Sequence, residues 1–118
     1  MAYRSFEELR VWKNSCQLAV DVYSVMEGTR EFGLKDQMTR AAVSIASNIA
    51  EGAERNSAAD FARFLHIAKG SAAELRTQLY IAARIGAIPL AQQKSLTQAL
   101  KRVSSQLQRL AVSLKPKT

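Results

Sequence analysis

Residues 40–55 read RAAVSIASNIAEGAER. From Ala41 to Ala50 nothing is charged and nothing is larger than Ile, in a 118-residue chain whose formal net charge is +7. Apolar positions at Leu34, Met38, Ala41/Ala42, Ile45, Ile49 and Gly52 recur at spacings of three and four, the period of a helix over about 34–55. Beside that core line runs a polar one: Gln37, Arg40, Ser44, Asn48, Glu51 and Arg55. The remaining face is small again, with Val43, Ala46 and Ala50. Short side chains let neighbouring backbones approach closely. A helix of this kind is expected to be surrounded by protein, with its polar line drawn into internal hydrogen bonds.

Working outward, three more helices are expected. Ser5-Phe6-Glu7-Glu8 has the form of a capping box, Ser at N-cap and Glu8 at N3, opening a helix over about 6–27. Leu9, Trp12, Cys16, Ala19, Tyr23 and Met26 form one apolar stripe on it. Val11, Leu18, Val22 and Val25 form a second, so both sides should be covered. Gly28 ends it. Ser57 caps a third helix over about 58–85, with Asp60 at N3. Its main stripe is Phe61, Phe64/Leu65, Ala68, Ala72, Leu75, Leu79 and Ala82, flanked by Ile67, Ser71, Glu74, Gln78, Ile81 and Ile85. Gly70 in mid-helix costs roughly 1 kcal/mol relative to Ala, which predicts a close helix crossing there. Gly86 is its C-cap. A fourth helix over about 89–114 starts near Pro89, a favoured first position. Leu96, Leu100, Val103, Leu107, Leu110 and Leu114 give it a heptad seam, and Pro116 closes it. Four amphipathic helices joined by short loops make an antiparallel up-down four-helix bundle, all-α and one domain over 1–118.

Composition narrows the function classes. Apolar residues are 47% and charged residues 23%, with 5 Gly and 2 Pro, ordinary values for a chain that folds. Folding alone, such a chain buries roughly two-thirds of its unfolded surface. A single Cys16 excludes an intrachain disulfide and any cysteine zinc site, and its place on an apolar stripe marks a small hydrophobe. No run approaches a bilayer span and MAYRSFEELR has no apolar leader core, so no membrane role and a cytoplasmic location are expected. Charge is unevenly placed. Residues 1–59 hold 7 Lys/Arg against 8 Asp/Glu, whereas residues 60–118 hold 10 against 2, and no acid follows Glu74. One-sided basicity points to an anionic partner.

The residues in hand resemble the 23S rRNA intervening-sequence protein family. The resemblance begins at Phe6-Glu7-Glu8-Leu9-Arg10-Val11-Trp12-Lys13. It is most specific across Gln37–Ile45, then Ser47-Asn48-Ile49-Ala50-Glu51-Gly52 and Arg55. It resumes at Phe61, Phe64-Leu65, Ala68-Lys69-Gly70-Ser71 and Glu74-Leu75. Relatives often carry proline where Ala46 stands and an aromatic where Ala87 stands. The family implies four-helix bundles that assemble into rings, pentamers being the expected form, with no defining enzymatic activity. A similar bundle, the accessory variability protein of diversity-generating retroelements, engages reverse transcriptase and RNA.

Candidate sites follow from chemistry. Lys94, Lys101, Arg102 and Arg109 lie almost opposite the helix-four seam, and with Arg76 and Arg84 they are the expected contacts to RNA or a nucleoprotein. That helix-four strip carries no aromatic residue, so it would read backbone charge and not sequence. Arg40, Asn48, Glu51 and Glu74 are expected to be internal polar fasteners. Glu51 and Glu74 as paired acids would define a hydrolase. His66 has no companion ligand at helical spacing, and no glycine-rich phosphate loop exists. The sequence thus predicts a non-enzymatic homo-oligomer with no cofactor, no metal and no small-molecule substrate. A scaffold binding only proteins, built on the doubly apolar helix one, is the alternative.

Overall fold

The computed structural model describes residues 5–115. A 3₁₀ turn at Phe6–Glu8 precedes α1 (Arg10–Val25), α2 (Phe32–Ala53), α3 (Ala58–Arg84) and α4 (Leu90–Ser113), and no strand occurs among the described residues. The helices pack in cyclic order, α1 on α2, α2 on α3, α3 on α4 and α4 back on α1. Chain neighbours are therefore space neighbours, the mark of an up-down bundle. The molecule measures 49 × 21 × 19 Å, and the 27 residues of α3 alone span about 40 Å of its length. The expected stop at Pro116 lies outside the described residues.

Local chemistry sets the element ends. Ser57 accepts a hydrogen bond from the Asp60 amide at 3.1 Å, as an N-cap should. After α3, the Gly86 amide donates to the Ala83 carbonyl at 3.1 Å and the Ala87 amide to Ala82 at 2.8 Å. That pairing is a Schellman motif, and it needs the left-handed φ of +77° that Gly86 supplies. Pro89 falls one place earlier than expected, as the N-cap of α4.

The N-terminus departs further from expectation. Ser5 accepts from the Glu7 amide and caps only the 3₁₀ turn, and Leu9 is extended (φ −73°, ψ 124°). No capping box forms, and α1 begins at Arg10. The break turns the Phe6 ring back onto Trp12, edge to face at 5.2 Å between centroids.

The core runs the length of the bundle through Leu18, Val22, Met26, Met38, Ile45, Ile49, Leu65, Leu75, Leu79, Leu100, Val103 and Leu107. On α1 it uses the second stripe, Val11, Leu18 and Val22, and adds Ala19 and Met26. Ser15 joins that buried face by bonding its hydroxyl back to the Val11 carbonyl at 2.7 Å. Trp12 and Cys16 from the first stripe are only half-buried, and Tyr23 is 51% exposed.

Close helix approach occurs at Gly52, not at Gly70. A Cβ on Gly52 would stand 2.6 Å from Phe64 Cβ, 3.0 Å from Phe61 Cδ1 and 3.3 Å from the Phe61 carbonyl oxygen. Gly70 is exposed, with nothing within 4 Å of a Cβ built there. The two glycines should respond oppositely to alanine. Gly52→Ala should lower unfolding free energy by about 1–2 kcal/mol, overpacking outweighing the gain in helix propensity. Gly70→Ala should raise it by about 0.5–1 kcal/mol through helix propensity. Urea denaturation of both variants checks this; a stabilised Gly52→Ala would mean that α2 and α3 stand further apart.

Candidate functional site

The six predicted contact residues are all exposed, but they do not form one patch. Lys69 of α3 donates from Nζ to Gln108 Oε1 of α4, a contact that marks the register of the two antiparallel helices. Residues seven apart return to nearly the same face of a helix. Lys94, Lys101 and Gln108 therefore share one line on α4, and Lys69 and Arg76 share the facing line on α3. Counting from the Lys69–Gln108 bond places Arg76 level with Lys101, and Tyr80 level with Thr97, between Lys101 and Lys94. Arg84 lies one turn beyond Tyr80. Arg76 and Arg84 on α3, and Lys94 and Lys101 on α4, thus lie on the two lines that flank the α3–α4 seam.

Arg102 and Arg109, also seven apart, form a separate line. Arg102 borders a recess on the α1 side with Asn14, Gln17 and Asp21, where Asn14 also bonds Gln106 at 3.2 Å. Arg109 bonds Ser105 of its own helix at 3.2 Å. Ion pairs among the described residues join Arg40 to Asp36, Arg55 to Glu51 and Arg63 to Asp60. None of the six cations takes part in them. From Arg76 to Lys115 neither α3 nor α4 carries a carboxylate.

Sequence reasoning passed over Tyr80. Its ring is 56% exposed. Arg84 donates from Nη1 to the Tyr80 hydroxyl at 3.0 Å, with its guanidinium carbon 5.8 Å from the ring centroid. Ala73, Arg76 and Thr77 line a shallow recess beside that ring. The signal was present as Arg76-Tyr80-Arg84, cations one turn before and after an aromatic on one helical line. The aromatic sits on α3, whereas the basic strip legible in the sequence lies on α4.

The predicted polar fasteners resolve differently. Only Asn48 turns inward, donating to the Ser44 carbonyl at 2.8 Å and to Ser44 Oγ at 2.9 Å. Ser44 Oγ in turn bonds Ser71 Oγ at 3.0 Å, so this triad ties α2 to α3. Arg40 and Glu51 do not join helices in this chain. Arg40 bonds Asp36 at 3.0 Å and Glu51 accepts from Arg55 at 3.1 Å, each within α2 and each in solvent. Their long side chains leave the interface because Ala and Ser hold the helices too close to admit them. Glu74 is exposed too, over a shallow recess shared with Gln37, Arg40, Ala41 and Ser44. Given the Ser44–Ser71 register, Glu51 and Glu74 are about 15 Å apart along the bundle, too far for paired acids. Gln78, one turn past Glu74, is 7% exposed with its Oε1 buried and unpartnered.

At the corner where α2 meets α3, Arg55 and Arg63 cover the Phe64 ring, with guanidinium carbons 4.8 and 4.6 Å from its centroid. A second face lies between α1 and α2. Phe6, Trp12, Cys16, Ala19, Val43, Ala46, Ser47 and Ala50 line an open and almost wholly apolar groove there. Val20 (60% exposed) and Val43 (43%) extend its apolar surface. Burial pushes the Cys16 thiol above its ordinary value. No cluster of His, Cys, Asp and Glu suited to a metal occurs among the described residues, and no helix there is long and apolar enough to cross a membrane.

The geometry defines a four-helix bundle with a cationic face and an apolar groove. The model of the 23S rRNA-intervening sequence protein family matches residues 7–109, and the chain belongs to that family. It is similar to a crystal structure of a protein of unknown function from the S23 ribosomal protein family of Bacteroides thetaiotaomicron. The two share 25% identity over 86% of this chain and 95% of that one, with a TM-score of 0.80. No match was found among curated proteins.

A raised thiol value means less thiolate at any given pH. Cys16 should therefore be alkylated by iodoacetamide at pH 8 more slowly than free cysteine, and unfolding in urea should abolish the difference. Mass spectrometry of timed samples reads both rates; a folded chain reacting as fast as the free amino acid would place the thiol in open water.

Proposed function

We propose that this protein is a non-enzymatic bundle that associates with copies of itself through α1 and α2 and holds RNA or a nucleoprotein through its α3–α4 face. What supports the binding half is that Arg76, Arg84, Lys94 and Lys101 flank one seam, outside any ion pair among the described residues, on helices that bear no acid after Glu74. Cations so placed exchange condensed counterions for phosphates, a gain that needs no base-specific contact. Repeating the face around a ring, pentameric as the family resemblance implies, would multiply a weak contact.

Salt and charge reversal test this together. Affinity for a single-stranded RNA should fall steeply between 50 and 200 mM salt, with a log–log slope of roughly −0.7 per phosphate engaged. Lys94→Glu combined with Lys101→Glu should flatten that slope and weaken binding by more than tenfold at low salt. Arg102→Glu, which reverses charge on the α1 side, should cost less. Equal losses from both variants, or no binding by the unaltered chain, would reject the α3–α4 face.

The groove between α1 and α2 favours a second reading, a scaffold that binds proteins alone. An apolar groove open to solvent is the kind of surface that association with another protein would cover. In either reading Val43→Lys should disperse the assembly, because it sets a charge at the rim of the groove where a single chain tolerates one. Light scattering coupled to size exclusion measures this, with absorbance at 260 nm reporting carried nucleic acid. An unaltered chain that elutes with the mass of one subunit would remove self-association from both readings.

A further inference from the structure

The α3–α4 face carries more than charge. Tyr80 stands in solvent at its centre, with Arg76 one turn before it and Arg84 one turn after. An exposed tyrosine contributes nothing to the core, and Arg84 orients it by a hydrogen bond to its hydroxyl at 3.0 Å. Helical tyrosines lean toward the N-terminus, over the preceding turn. Here that turn offers the small residues Ala73 and Thr77 beside Arg76, and together they form the recess next to the ring. A flat ring lying in that recess would stand beside the Tyr80 ring, with the Arg76 charge at its edge for the attached phosphate.

We propose that Tyr80 is a stacking platform for an unpaired base, which makes the preferred ligand of this face single-stranded RNA and not duplex. The assignment rests on the cationic reading above and deepens it. A duplex keeps its bases stacked on one another and offers this face only phosphates and sugar edges. A single strand offers each base's π-face as well, and stacking on an aromatic side chain adds affinity without demanding a sequence. The guanidinium of Arg84, bonded to the hydroxyl and 5.8 Å from the ring centroid, braces the ring from the following turn.

Fluorescence anisotropy on the full chain at low salt tests this with three probes: an unstructured 12-nucleotide RNA, an abasic strand with the same number of phosphates, and a 12-base-pair RNA duplex. The unaltered protein should bind the RNA strand more tightly than the other two. Tyr80→Ala should weaken binding of the RNA strand roughly tenfold. The same variant should leave the abasic strand, the duplex and the salt slope unchanged. Tyr80→Trp should keep or strengthen binding of the RNA strand. Thermal melts by circular dichroism should show both variants folded, since the side chain lies outside the core. If Tyr80→Ala binds the RNA strand as the unaltered chain does, while Lys94→Glu with Lys101→Glu releases it, the platform is refuted and the cationic face stands. Equal loss on the RNA and abasic strands would refute it too, by making Tyr80 a charge-positioning residue. Failure of the unaltered chain to bind any probe would refute both.

Discussion

The bundle depends on how closely α2 and α3 approach. Gly52 lies against Phe61 and Phe64 with no room for a methyl group. Two turns along, the hydroxyls of Ser44 and Ser71 meet at 3.0 Å, braced by Asn48. Small residues permit the approach, and short polar ones satisfy one another inside it. Larger side chains along this line would force the helices apart and open the layer of Ile45, Ile49, Leu65 and Leu75 to water. The same constraint explains why Arg55 and Arg63 cover Phe64 at the corner: a ring pressed against a backbone has an outer face, and flat guanidiniums shield it while remaining hydrated.

Tight packing on one flank of α2 leaves the other flank over-supplied with small apolar residues. Within a single chain α1 covers only part of that flank, because its own core stripe, through Leu18 and Val22, turns inward. Trp12 and Cys16 are left half-buried beside Val43, Ala46 and Ala50, and Tyr23 is left exposed. The apolar groove is thus a consequence of having two stripes on α1 and only one core to fill. Arg76, Arg84, Lys94 and Lys101 lie on the other helix pair, α3 and α4, which carries no acid after Glu74. The surface proposed for self-association and the surface proposed for RNA therefore lie on opposite helix pairs and do not compete.

Family membership bears on the fold. The family model spans residues 7–109, from the turn before α1 through most of α4. The structural relative of the S23 ribosomal protein family shares the bundle at 25% identity. That degree of likeness fits a fold held by residue size and period more than by particular side chains.

Sequence alone was enough for the four helices, their boundaries to within a few residues, the C-cap at Gly86, the core lines of α2 and α3, and that of α4 as far as Leu107, beyond which Ala111 and not Leu110 or Leu114 is buried. These follow from period, capping chemistry and glycine conformation, all of which act within one or two turns of chain. What tertiary structure decided were relations between helices. It chose which α1 stripe faces the core and moved the close crossing from Gly70 to Gly52. It turned Arg40, Glu51 and Glu74 out to solvent, set Arg102 and Arg109 apart from Lys94 and Lys101, and brought Tyr80 among the cations. The reason is physical: periodicity specifies the direction of a side chain about its own axis, whereas its neighbours depend on the rotation and register of another helix, which only packing selects.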